Sequence, residues 1–146
     1  MIFMVRVMAS GVFDIIHTGH ISYLEQAKSM GDELVVVVAC DSTARRRKHQ
    51  PITPEAMRVR IVGALKPVDR AVLGKEGDML STVADIGPDI IVLGFDQGFD
   101  EDALRRELAA RGLGSVEIRR ADRFSEDLTA TREIIKRIVD GHGGIE

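Results

Sequence analysis

Two unbroken apolar runs, Val35-Val36-Val37-Val38 and Ile90-Ile91-Val92-Leu93, limit the folds open to this chain more than any other feature. A strand with one wet face alternates apolar and polar side chains. Neither run does, so both faces must be covered, as in a parallel sheet. Strands are expected at residues 2–9, 34–40, 71–73, 90–93 and 116–118. Helical patterns fall between and beyond them, at 21–30, 54–65, 79–86, 101–110 and about 129–139. Pro54 suits a first helical turn, Gly112 suits the end of the fourth helix, and Gly141-His142-Gly143-Gly144 reads as a frayed tail.

At 146 residues the chain is long enough for one sizeable core, so residues 1–146 are read as a single domain. The β–α alternation predicts an α/β fold: a doubly wound, Rossmann-like parallel five-stranded sheet with helices on both faces. In such a fold ligands bind beyond the carboxyl ends of the strands, near the point where strand order reverses. A hydrophobic share of 45% and a charged share of 29% suit a water-soluble protein. The net charge of −3 argues against nucleic acid as a partner. Residues 1–9 contain Arg6 and are too short for a signal-peptide core or a membrane span. One cysteine, Cys40, cannot form an internal disulfide, which fits the cytoplasm.

Chemistry concentrates in Gly11-Val12-Phe13-Asp14-Ile15-Ile16-His17-Thr18-Gly19-His20, between the first strand and the first helix. Such a turn aims backbone N–H groups and the positive end of the helix dipole at one spot, where phosphate binds. Gly19 lets the backbone approach closely. Imidazoles at His17 and His20 would grip phosphate oxygens more strongly as charge develops. Cys40, His49 and His142 add no recognisable zinc spacing, so the pair is not read as a metal site. Asp14 either caps the turn or joins the site. Asp41, closing the second strand, either orients a nucleotide or caps the next helix. Arg45-Arg46-Arg47-Lys48-His49 then reads as a phosphate-facing loop. Arg58 and Arg60 lie on different faces of their helix, so one at most faces the site. Gly94-Phe95-Asp96 ends the fourth strand, where a carboxylate meets a ribose hydroxyl or a base amino group. Thr129 and Thr131 stand where the last helix should begin, as caps, phosphate ligands or both.

In order, these motifs resemble the cytidylyltransferase-like (HxGH) nucleotidyltransferase family over nearly the whole chain. The residues from Gly11 to His20 resemble its first motif. Glu55-x-x-Arg58 with Leu65-Lys66-Pro67-Val68-Asp69 resembles its middle segment. Gly94-x-Asp96 matches its Gly-x-Asp motif, and Ser125 to Thr131 its final hydroxyl-rich motif. Lys66-Pro67-Val68-Asp69 and Gly87-Pro88-Asp89-Ile90-Ile91-Val92-Leu93-Gly94 look most like an archaeal branch that moves AMP from ATP to FMN. The chain departs from the pattern at Gln97, where the family carries Trp, at Phe124, where it carries Arg, and at Asp127 and Ala130.

The resemblance implies that His17, His20 and Arg58 are catalytic. It also implies that Val12, Phe13, His17, His20, Asp41, Gly94, Asp96, Thr129 and Thr131 hold the nucleotide. A divalent ion such as Mg²⁺ would be bound mainly by the phosphates, with no protein ligands of its own. The acceptor phosphate is already an anionic nucleophile, so positioning and charge neutralisation would suffice. A homodimer is implied too. The alternatives are CMP transfer to glycerol 3-phosphate or another small phosphorylated alcohol, and a nucleotide-binding module without turnover.

Overall fold

The computed structural model describes residues 4–47, 50–124 and 130–142. Along the chain run β1 (Arg6–Gly11), α1 (Thr18–Ser29), β2 (Glu33–Val38), α2 (Asp41–Arg47), α3 (Glu55–Gly63) and β3 (Arg70–Leu73). They are followed by α4 (Met79–Ile86), β4 (Ile90–Leu93), α5 (Glu101–Ala110), β5 (Glu117–Arg120) and α6 (Thr131–His142). The strands form one parallel sheet in the order β3-β2-β1-β4-β5. The chain therefore steps outward from β1 to β3, then crosses β1 to lay down β4 and β5. Strand order reverses between β1 and β4, and that is where a doubly wound sheet opens a crevice.

Both faces of the sheet are buried, as the unbroken apolar runs require. Val7, Ala9, Leu34, Val36, Val38 and Val92 point to one face, under Leu24 and Ala27 of α1 and Val62 of α3. Met8, Val35, Val37, Ile91 and Leu93 point to the other, under Leu80, Val83 and Ile86 of α4 and Leu104 and Leu108 of α5. Successive residues of a strand face opposite ways, so a run without alternation serves two cores at once. Asp78 and Asp100 start α4 and α5 by accepting hydrogen bonds from the first free N–H groups, and Gly87 ends α4 in the left-handed conformation. No helix among the described residues is long and apolar enough to cross a membrane.

Several boundaries differ from the sequence reading. β1 starts at Arg6 and runs on to Gly11; residues 1–3 lie outside the described residues. The basic run is not a loop as far as it is described, because Arg45, Arg46 and Arg47 form the last turn of α2. An acidic first residue and a cationic last turn both complement the helix dipole, and that signal outweighs the polarity of the run. Lys48 and His49 lie outside the described residues. Pro54 caps α3 from outside rather than sitting in its first turn. β5 is an edge strand that alternates exposed and buried residues, which shifted its expected position. α6 continues through Gly141 and His142, so that part of the expected tail is helical.

Candidate active site

The turn between β1 and α1 is wound in a way few sequences tolerate. Phe13 and Ile15 both have positive φ, 57° and 50°. A β-branched residue there is a conformational outlier, and such strain persists only where the surroundings hold it. Three groups hold it here. The Asp14 carboxylate, buried, accepts hydrogen bonds from the Ile52 N–H (2.7 Å), the Thr53 N–H (2.9 Å) and the Thr53 hydroxyl (2.6 Å). Burial opposes its ionisation, but these bonds and the nearby Arg58 charge outweigh burial and hold its pKa below the usual value. The Thr131 hydroxyl, at the first residue of α6, donates to the Asp14 carbonyl at 2.5 Å. Arg58 donates to the Val12 carbonyl at 2.8 Å. Gly11 leaves room for the Phe13 ring, which a Cβ there would meet at 3.0 Å.

Out of this turn α1 begins with a reciprocal cap made by the two histidines. The Gly19 N–H donates to His17 Nδ1 at 3.1 Å, and the His17 N–H donates to His20 Nδ1 at 3.2 Å. The rings stack with centroids 3.8 Å apart. With both Nδ1 atoms accepting, the hydrogen-bond network assigns the proton of each neutral ring to Nε2. Each imidazole then presents an Nε2–H donor beside the positive end of α1, whose first turn carries no acidic residue. Burial lowers the His17 pKa below its ordinary 6.5, against the pull of Glu133 and Asp96. The neutral ring that makes the cap is thus the form favoured by the fold.

An open crevice of about 610 Å³ runs beyond the carboxyl ends of β1, β2 and β3. Ser10, Gly11 and Val12 lie on its wall, as do Cys40, Asp96 and Phe99. Arg46 and Arg47 from α2, and Lys75 after β3, bring positive charge to it. Asp96 is exposed at its rim and lies close enough to His17 to act on its charge. Val12 and Asp96 line the crevice; His17, within reach of the Asp96 charge, and His20 stacked on it stand beside the crevice and are not part of its wall.

Other candidates take different places. Arg58 is fully buried and does not line the crevice. It donates to the carbonyls of Thr53 (3.0 Å), Val12 (2.8 Å) and Ala39 (2.7 Å), and it pairs with Asp41 Oδ1 at 2.6 Å. The sequence reading makes Arg58 catalytic; the structure places it in the interior, where its guanidinium ties three chain segments together. Asp41 opens α2, and its carboxylate is engaged with Arg58. Phe13 is buried between Tyr23 and His20, so its ring is a core side chain. The Gly94 N–H donates to Gln97 Oε1 (2.8 Å), and the Gly94 carbonyl accepts from Arg120 (2.9 Å). The Thr131 hydroxyl turns onto the Asp14 carbonyl, so its bond supports the turn. Thr129 lies outside the described residues.

Two supports were not apparent from the sequence. Gln97, in place of the expected Trp, bridges the ends of β4 and β1 by also donating from Nε2 to the Ser10 carbonyl at 2.9 Å. Arg120 pairs with Glu101 and donates to the carbonyls of Gly94, Gln97 and Phe99, stapling the loop that carries Asp96. Neither belongs to a spaced motif; an arginine at the carboxyl end of an edge strand is the one signal that pointed to Arg120.

Comparison with known proteins bears on this geometry. The family model for cytidylyltransferase-like proteins matches residues 8–137. A protein named FAD synthase from Aciduliprofundum boonei is 56% identical over 138 residues, covering 94% of this chain and 92% of that one. Another of the same name, from Thermoplasma acidophilum, is 53% identical and covers 94% and 96%. The crystal structure of a protein from Thermoplasma volcanium, described as a lipopolysaccharide core biosynthesis protein, superposes with a TM-score of 0.82 at 53% identity. It covers 84% of this chain and all of that one.

The two roles open to Arg58 separate on one variant. Arg58→Met leaves Asp41 and three carbonyls without their partner, so urea unfolding should show a loss of about 3–5 kcal/mol. Unchanged stability with weakened triphosphate binding would instead return Arg58 to the phosphates.

Proposed function

Because the chain belongs to the cytidylyltransferase-like family, we propose that it is an FMN adenylyltransferase, moving AMP from ATP to the phosphate of FMN and releasing pyrophosphate. The observation that carries the transfer chemistry is the reciprocal histidine cap, which turns both Nδ1 atoms onto the backbone at the start of α1 and puts the proton of each neutral ring on Nε2. The acceptor assignment is supported by the name of the full-length relatives.

An FMN phosphate oxygen attacks the α-phosphorus of ATP in line. The bond to the bridging oxygen of the β-phosphate breaks, and pyrophosphate leaves with the electron pair. The nucleophile is already an anion, so no side chain has to remove a proton. His17 and His20 donate to phosphate oxygens on which charge rises in the transition state, in a site organised before the substrates arrive. Arg46, Arg47 and Lys75 on the crevice wall supply positive charge for the phosphate of the acceptor. Among the described residues no group of three His, Cys, Asp or Glu side chains is arranged to hold a metal. ATP is taken up as its complex with a divalent cation, Mg²⁺ above all, the phosphates being the main ligands. Asp96, at the rim near His17, is the carboxylate available to the ribose or the base. The enzyme works in the cytoplasm as a homodimer, for which the exposed Ile52, Met57 and Ile61 on and before α3 offer an apolar face.

Three measurements test this reading. Purified protein given ATP, FMN and Mg²⁺ should form FAD and pyrophosphate, and a chelator should stop it; CDP-glycerol formed from CTP and glycerol 3-phosphate, with no FAD, would assign the rival acceptor. His17→Asn keeps a capping side chain but removes the ring, so kcat should fall on the order of 10²–10³-fold with little change in melting temperature near neutral pH. In the wild type the His17 cap stabilises the fold above pH 6.5, the unfolded value. That contribution is lost as pH falls below 6.5 and through the lower folded value, because the unfolded chain takes up the proton first. The variant's melting temperature should therefore fall less steeply from pH 8 to pH 5. Sedimentation at micromolar concentration should give twice the chain mass, and a mass near 16.0 kDa would contradict the dimer.

A further inference from the structure

The reading above leaves open where the acceptor's flat tricyclic ring lies. Of the aromatic side chains among the described residues, Phe13 is buried in the core. The Tyr23 hydroxyl is bonded to the Val92 carbonyl at 2.6 Å, and burial raises its pKa. Phe95 is exposed, with the Arg123 guanidinium 5.9 Å from its ring centre, and neither it nor the half-buried Phe124 lines the crevice. Phe99 does line it. The Arg47 guanidinium stands 5.2 Å from the Phe99 ring centre, so a planar cation and an aromatic face meet at one place on the wall. A second opening of about 560 Å³, between α4 and α5, adjoins the crevice, and Arg47, Met79 and Phe99 belong to both. The wall therefore has room on two sides, within the range that takes in a whole cofactor-sized ligand. Thr82, on the crevice side, has a buried hydroxyl with no partner among the described residues. A heteroaromatic ring with apolar faces and a polar edge answers both features.

Resting on the assignment of FMN as acceptor, we infer that Phe99, with Arg47 beside it, is the platform on which the isoalloxazine ring stacks, and that it sets the preference for a flavin over a ring-free phosphate. The adenylyl donor then lies on the His17 and Asp96 side of the switch point and the flavin on the α2 and α4 side. Gln97 cannot provide a stacking face, and its amide is held between β4 and β1. Phe99 is the aromatic residue left for that task on the wall. Its backbone is fixed by Arg120, which donates to the Phe99 carbonyl at 3.2 Å.

The test compares wild type with Phe99→Leu and Phe99→Trp, using FMN and ribitol 5-phosphate, the ring-free part of the same acceptor. Phe99→Leu should raise KM for FMN about tenfold, the order expected for one lost aromatic stack, while KM for ATP stays within about twofold. Phe99→Trp should restore KM and, because a stacked indole donates an electron to excited flavin as a phenyl ring does not, should quench the emission of bound FMN. The ratio of kcat/KM for FMN to that for ribitol 5-phosphate should fall in Phe99→Leu. That ratio is internal to one enzyme, so partial loss of folded protein does not move it. A Phe99→Leu enzyme that keeps the ratio or loses ATP affinity instead, or a Phe99→Trp enzyme that leaves the emission of bound FMN unquenched, overturns the inference alone. A wild type that forms no FAD overturns the acceptor assignment and the inference with it.

Discussion

The site depends on a backbone that would not hold its shape unaided. Phe13 and Ile15 both take the left-handed conformation, at a cost on the order of 1–3 kcal/mol each for residues with a side chain. The Asp14 carboxylate fixes the turn to residues 52 and 53, Arg58 fixes it to α3 and α2, and Thr131 fixes it to α6. Arg58 matters most because it is both fully buried and charged. A buried guanidinium is stable only with its hydrogen-bonding positions met, so the carbonyls of Val12, Ala39 and Thr53 have to converge on it. The geometry of the histidine pair follows from the turn that this convergence holds.

That pair shows how one arrangement serves structure and chemistry together. A helix start needs acceptors for its free N–H groups, and a phosphate needs donors. An imidazole has one nitrogen for each. With Nδ1 engaged on the backbone, the ring is oriented and its proton sits on Nε2. Burial favours the neutral form of His17, so the cap and the donor persist together at neutral pH. The crevice divides along the same line. Asp96, with the histidine pair beside it, stands at the reversal of strand order, and the cationic and aromatic wall stands over β2, β3 and α4. Gln97 and Arg120 brace the loop between the two halves.

Much of this was legible in the sequence, for identifiable reasons. Unbroken runs such as Val35–Val38 can be buried only between two layers, so the parallel sheet follows from hydrophobic burial alone. His17, Gly19 and His20 lie within one turn of chain, so local spacing put them at one helix start whatever the rest of the protein did. Asp96 follows a strand whose identity was clear, and in a doubly wound sheet the end of that strand is the crevice. Elements with weak local patterns were less legible: α2 was hidden by its basic run, and β5 by the charge of an exposed edge.

What only the tertiary structure decided is which charged groups face the crevice and which face the protein. Arg58 and Asp41 have the composition of a phosphate site, yet they face each other, because the three carbonyls that satisfy Arg58 come from segments up to 46 residues away. The Asp14 carboxylate finds its partners 38 and 39 residues along the chain, and Thr131 reaches back across 117 to the same turn. Periodicity and capping signals act over a few residues and are written into the chain. The desolvation of a buried charge is settled by groups that meet only on folding, so the sequence determined the sheet and the histidine turn, and the packing determined which polar residues were left for substrate.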